Sequence, residues 1–88
     1  MDGDRILDAL ITLGYGIEID SAGRVTATLT RTWPEQLPLP PKQLSGQIER
    51  DGALSWGSAG HEVEQVLWVE RVILLRKRAS EARMRIDF

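Results

Sequence analysis

Apolar residues recur at three- and four-residue spacing in Ile6, Leu7, Leu10, Ile11 and Leu13, which predicts a helix over residues 4–13. Asp2 or Asp4 is placed to cap its start, because a carboxylate there accepts bonds from free amides and meets the positive end of the helix dipole. Gly14 suits the left-handed position just past a helix end. The period then changes to two. Tyr15, Ile17 and Ile19 alternate with Gly16, Glu18 and Asp20, and beyond Ser21-Ala22-Gly23 the residues Val25, Ala27 and Leu29 alternate with Arg24, Thr26, Thr28 and Thr30. A three-residue connection closing on glycine is a common hairpin loop. With Asp20 facing Arg24, the predicted inner pairs are Ile19 with Val25, Ile17 with Ala27 and Tyr15 with Leu29. The outer face carries Glu18, Asp20 and a row of threonines.

All four prolines fall within residues 33–41 and exclude a regular helix or central strand there. Pro41 can open a second helix, predicted over residues 42–51, with Leu44 and Ile48 one turn apart and Gly52 as its stop. Gly46 inside it costs about 1 kcal/mol relative to alanine, so this helix needs tertiary support. Residues 56–60 read as a loop in which Ser58 caps the next helix. That helix, the longest, is predicted over residues 62–83, with Glu62 and Glu64 at its positive end and Arg76, Lys77, Arg78 and Arg83 towards its negative end. Its middle, residues 66–75, is β-branched and apolar enough for a strand to be the alternative. No internal repeat, heptad array or low-complexity tract stands out.

Two apolar faces emerge when that helix is wound at about 100° per residue. Val63, Val66, Leu67, Val69, Ile73 and Leu74 share one broad face. Trp68, Val72, Leu75 and Ala79 form a separate stripe, bordered by Arg71 and Arg78 on one side and by Gln65 and Arg76 on the other. A helix resting on its own domain needs one apolar face, so the stripe is expected to serve a partner or a second copy.

At 88 residues, 42% hydrophobic and 27% charged, the chain is expected to fold as one small domain over residues 1–88 with a thin core. It has no cysteine, which removes disulfides and thiolate metal clusters and favours the cytoplasm. Neither a signal peptide nor a membrane span is read in it. Residues 1–60 carry a net charge of −3 and residues 61–88 a net charge of +1. A sequence pI near 5.3 is well below that of a dedicated nucleic-acid binder, so phosphate contact through Arg76, Lys77, Arg78 and Arg83 is the secondary reading. With Glu70 and Glu81 close by, the basic run reads first as a solvated helix end.

Candidate chemistry is sparse. His61 is the only histidine, so a general-base or metal scheme would have to rest on it or on a carboxylate. His61-Glu62-Val63-Glu64-Gln65 has the glutamate of a zinc-protease helix but an amide where the second histidine belongs, and no metal, cofactor or catalytic residue is expected. Leu37-Pro38-Leu39-Pro40-Pro41-Lys42 has the composition of an extended proline-rich ligand, but inside a domain it reads as a stiff spacer.

The order helix, hairpin, proline break, second helix over residues 4–56 resembles the TubC-type N-terminal docking domain of some peptide and polyketide synthetase subunits. The matching positions are Ile6-Leu7, Leu10, Leu13-Gly14, Gly16-Ile17-Glu18-Ile19, Gly23-Arg24-Val25-Thr26-Ala27, and Leu39-Pro40-Pro41 before Leu44 and Ile48. The resemblance implies an αββα module whose exposed hairpin and adjoining helix receive a short peptide from a partner. The expected fold is therefore α+β: a helix, a hairpin, a short helix and a long C-terminal helix packed on one hairpin face. The expected function is a non-catalytic protein-binding module, of docking, adaptor or mobile-element-inhibitor type, that is able to self-associate. Its expected contacts are Glu18, Thr26 and Thr28 on the hairpin and Trp68, Val72 and Leu75 on the helix.

Overall fold

The structure, a computed structural model, describes residues 2–57 and 60–86, with side chains of the last helix described as far as Ala82. Helix α1 (Gly3–Leu13) is capped by Asp2, whose side chain accepts from the amide of Asp4 at 3.0 Å. It ends at Gly14, whose φ of 98° is the left-handed conformation that glycine adopts without steric cost. Strands β1 (Tyr15–Ile19) and β2 (Arg24–Leu29) then pair antiparallel, Tyr15 with Leu29, Ile17 with Ala27 and Ile19 with Val25. That is the register read from the alternation, and the Asp20 carboxylate holds the turn by accepting from the amides of Ala22 and Arg24, each at 2.9 Å.

The second helix expected over residues 42–51 is a strand. Residues Gln43–Ile48 form β3, which pairs with β2, and Leu54–Ser55 form β4, giving a four-stranded antiparallel sheet in the order β1-β2-β3-β4. Leu44 and Ile48 are four apart, a spacing that one face of a helix and one face of a strand both permit. Gly46 decides between them, because it lies on the same strand face, and a Cβ there would come within 2.9 Å of the Trp56 ring. The turn between β3 and β4 repeats the first one: Gly52 (φ 88°) donates to Glu49 O as Gly23 (φ 82°) donates to Asp20 O. The fourth element is thus a strand, where the αββα order implied by the docking-domain resemblance has a helix.

Helix α2 (Gly60–Ile86) runs through residues 66–75, which closes the strand alternative, and extends the expected helix at both ends. Ser58, the expected cap, lies outside the described residues, as does the side chain of Arg83. One buried cluster joins Ile6, Ala9, Leu10 and Leu13 of α1 and Val63, Val66 and Val69 of α2 to Tyr15, Val25, Ala27, Leu44 and Trp56. Both helices therefore cover the same sheet face, and α2 lies mainly against α1. Trp56 fills the gap over Gly46, and its indole N–H donates to Gly3 O at 3.0 Å.

The fold is α+β, and it is elongated, 54 × 25 × 21 Å. A 27-residue helix is about 40 Å long, and every described side chain of α2 from Leu74 onward is exposed. Its second half projects past the body.

Candidate functional site

Of the expected contact residues, Glu18, Thr26 and Thr28 lie together on the sheet face that neither helix covers. Cross-strand pairing sets Glu18, Thr26 and Ser45 in one row and Gly16, Thr28 and Gln43 in the next. Short hydroxyl and amide side chains make this face polar. Thr28 does not lie on an open sheet edge, however. Thr28 is paired with Gly16 on one side and Gln43 on the other, so β2 is a central strand. The edges left to the sheet are the outer side of β1, the outer side of two-residue β4 and the stretch of β3 beyond it. Beside the last lies a groove of about 550 Å³ lined by Gln43, Ser45, Gln47, Trp56, Gly57 and Glu62 among others.

The other group, Trp68, Val72 and Leu75, lies on the outer side of α2. Trp68 is 58% exposed and Leu75 46%, while Val66 and Val69 are fully buried on the other side of the helix. The stripe also continues at both ends. Gln65, Trp68, Val72, Leu75, Ala79 and Ala82 succeed one another at spacings of three and four, the pattern of a coiled-coil seam. The two alanines and the glutamine obscure this short heptad pattern in the sequence.

One flank of the seam is built by the proline-rich connector. Arg76 Nη1 donates to Gln36 O at 3.2 Å and Gln65 Nε2 to Leu39 O at 2.9 Å, so residues 36–39 run along α2 as a strap. The strap is held from other sides too, by Trp33 Nε1–H donating to Pro38 O at 2.8 Å and by Tyr15 O–H donating to Pro41 O. Arg31 sits over the Trp33 ring, 5.3 Å from its centroid. With its carbonyls engaged and Pro40 buried, the segment is a spacer packed on its own domain. Leu39 alone of its leucines is exposed, at 54%, and adds apolar surface beside the seam.

Glu70 does not belong with the solvated charges of the helix end. It is 5% exposed on the inner side of α2 and is held by the Arg5 guanidinium through contacts of 2.5 and 3.3 Å. A buried carboxylate needs such a partner. The hydrogen bond to Glu70, and secondarily its charge, raise the pKa of Arg5. Three- and four-residue spacing from Val66 and Ile73 is the sequence signal that places Glu70 inside.

Arg76, Lys77 and Arg78 are exposed, but as consecutive helical residues they point in three directions about 100° apart and present no common basic face. His61 is exposed at the start of α2, beside Glu64, Gln65 and Trp68 in a shallow groove. Among the described residues no cluster of three histidines or carboxylates is placed to hold a metal ion. Among them, too, no helix is long and apolar enough to cross a membrane. No family model, no curated protein and no solved structure matches the chain.

Proposed function

We propose that this chain is a non-catalytic protein-interaction module, of docking, adaptor or inhibitor type, that works in the cytoplasm and binds through the outer side of α2. The observation that carries the reading is the stripe of exposed Trp68, half-buried Val72 and exposed Leu75 on a helix whose opposite side already supplies the domain's core. Leaving a tryptophan and a leucine in water forgoes burial worth about 1.5–3 kcal/mol for each side chain. A surface of that kind, with charged residues on its rim, is the composition of an interface centre. The polar sheet face with Glu18, Thr26 and Thr28 is the secondary contact surface. The free edge of β3, with its groove, is the place for an extended peptide to add a strand.

Affinity capture from the source cell, with wild-type chain and a Trp68→Glu/Leu75→Glu variant as baits, tests this reading. Both positions are exposed, so the variant keeps its fold. Loss of the captured protein from the variant is expected, and equal capture by the folded variant contradicts the assignment of the surface.

A further inference from the structure

The order of charges along α2 identifies the molecule that covers its seam. We infer that it is a second copy of this chain, lying antiparallel along α2 with the two helices crossing near residue 70. This rests on the seam being the contact surface, and goes further by fixing occupant, direction and register.

Glu62 and Glu64 occupy the first turns of α2, and Arg76 and Arg78 come two heptads after each of them, so that Glu62 and Arg76 share one flank and Glu64 and Arg78 the other. All four are exposed. Turning a second copy end for end about a point near residue 70 sets Glu62 beside Arg76 of the copy and Glu64 beside Arg78 of the copy. Symmetry repeats both pairs. The like-charge meeting that remains is Arg71 against itself at the crossing. In a parallel dimer the flanking positions that meet are five residues apart, which sets Arg71 beside Arg76 and Arg78 beside Arg83. Like charges would then line the interface, and the glutamates would lie far from the arginines.

Apolar positions agree with the same register. Trp68 of each copy meets Val72 of the other at the centre, and Leu75 meets the aliphatic stem of Gln65. Helix dipoles oppose one another in this arrangement, and each acidic helix start lies beside the other's basic half. The strap leaves Trp68 and Leu75 open, its carbonyls being bound to the side-chain amide of Gln65 at the end of the seam and to Arg76 at its flank.

Charge reversal tests the proposal, read by analytical ultracentrifugation over a concentration series reaching the upper micromolar range. The wild-type chain is expected to sediment as a dimer. Glu62→Arg/Glu64→Arg and Arg76→Glu/Arg78→Glu are each expected to weaken that dimer by about tenfold or more, since every attractive pair becomes a repulsive one. An equimolar mixture of the two variants is expected to recover it as a heterodimer, because the reversed charges match again. Unchanged circular dichroism in each variant shows that the fold is kept. A wild-type chain that stays monomeric throughout overturns the proposal, as does a mixture no more associated than its separate components. If the wild type is monomeric while capture of a different protein still depends on Trp68 and Leu75, this inference fails and the assignment of the surface stands.

Discussion

Gly46 stands opposite Val25 in the sheet, and any side chain there competes with the Trp56 indole, whose Cε3 lies 2.9 Å from where a Cβ would be. Gly3 is tighter still, its would-be Cβ only 1.9 Å from the Leu54 carbonyl oxygen. A ring can shift, whereas a backbone carbonyl in a paired strand moves only with its neighbours. Gly46→Ala is therefore expected to cost about 1–3 kcal/mol, typical of overpacking, and Gly3→Ala more, as measured by urea unfolding. Equal stability of the wild type and Gly3→Ala would show that α1 does not approach β4 this closely.

Tyr15 carries the pH dependence. Burial raises its phenol from the ordinary value of 10.0 to about 12, because the buried ring disfavours the charged form. Above pH 10 the unfolded chain loses the proton while the folded chain keeps it. Stability from this group is therefore complete below about pH 10 and falls away as pH rises towards 12. Tyr15→Phe should flatten that alkaline decline in a series of unfolding midpoints between pH 8 and pH 11. A decline of the same steepness in the variant would assign it to other groups.

Among the elements, α1 and the first hairpin were legible because each repeats one period over several residues and ends in a matching cap or turn, and α2 because its apolar spacing is sustained over many residues. The register of β1 with β2 followed from the alternation together with the three-residue turn that closes on Gly23. Strand β3 was not legible in the same way. Its inner positions are Leu44, Gly46 and Ile48, so its apolar alternation is interrupted by a glycine whose reason, Trp56, lies ten residues away in sequence. The informative signal was the turn, since Glu49-Arg50-Asp51-Gly52 places its glycine as Asp20-Ser21-Ala22-Gly23 does. Strand β4, two residues long, has no periodicity to read.

That added strand changes what a hairpin substitution does. With β2 central, proline at Thr28 removes a ladder amide and sets a ring between two paired neighbours, where proline is scarcely found. Thr28→Pro is expected to unfold the chain or cost more than about 2 kcal/mol, seen as lost strand signal and a lowered urea midpoint. A folded variant of near wild-type stability would mean that β2 does not pair along β1 at this position, since the ladder sets the Thr28 amide against Gly16.

The whole molecule is a body of one sheet and two helices from which the second half of α2 projects. Its inner helical face, including Glu70 held by Arg5, builds the domain. Its outer face is half exposed at Trp68 and Leu75, and on our proposal it takes another chain. The stripe itself was legible in the sequence, since its four apolar positions share one side of any helix. The strap that borders it was not, because the bonds from Gln65 and Arg76 to Leu39 and Gln36 join segments 26 and 40 residues apart.

Sedimentation velocity of the wild type beside Trp68→Glu/Leu75→Glu, at matched concentrations, tests most directly whether this surface takes a second copy of the chain. The wild type is expected to sediment above the monomer mass and the double variant as a monomer with unchanged helical circular dichroism. A monomeric wild type, or a folded double variant that associates as the wild type does, would contradict the pairing of this surface with a second copy.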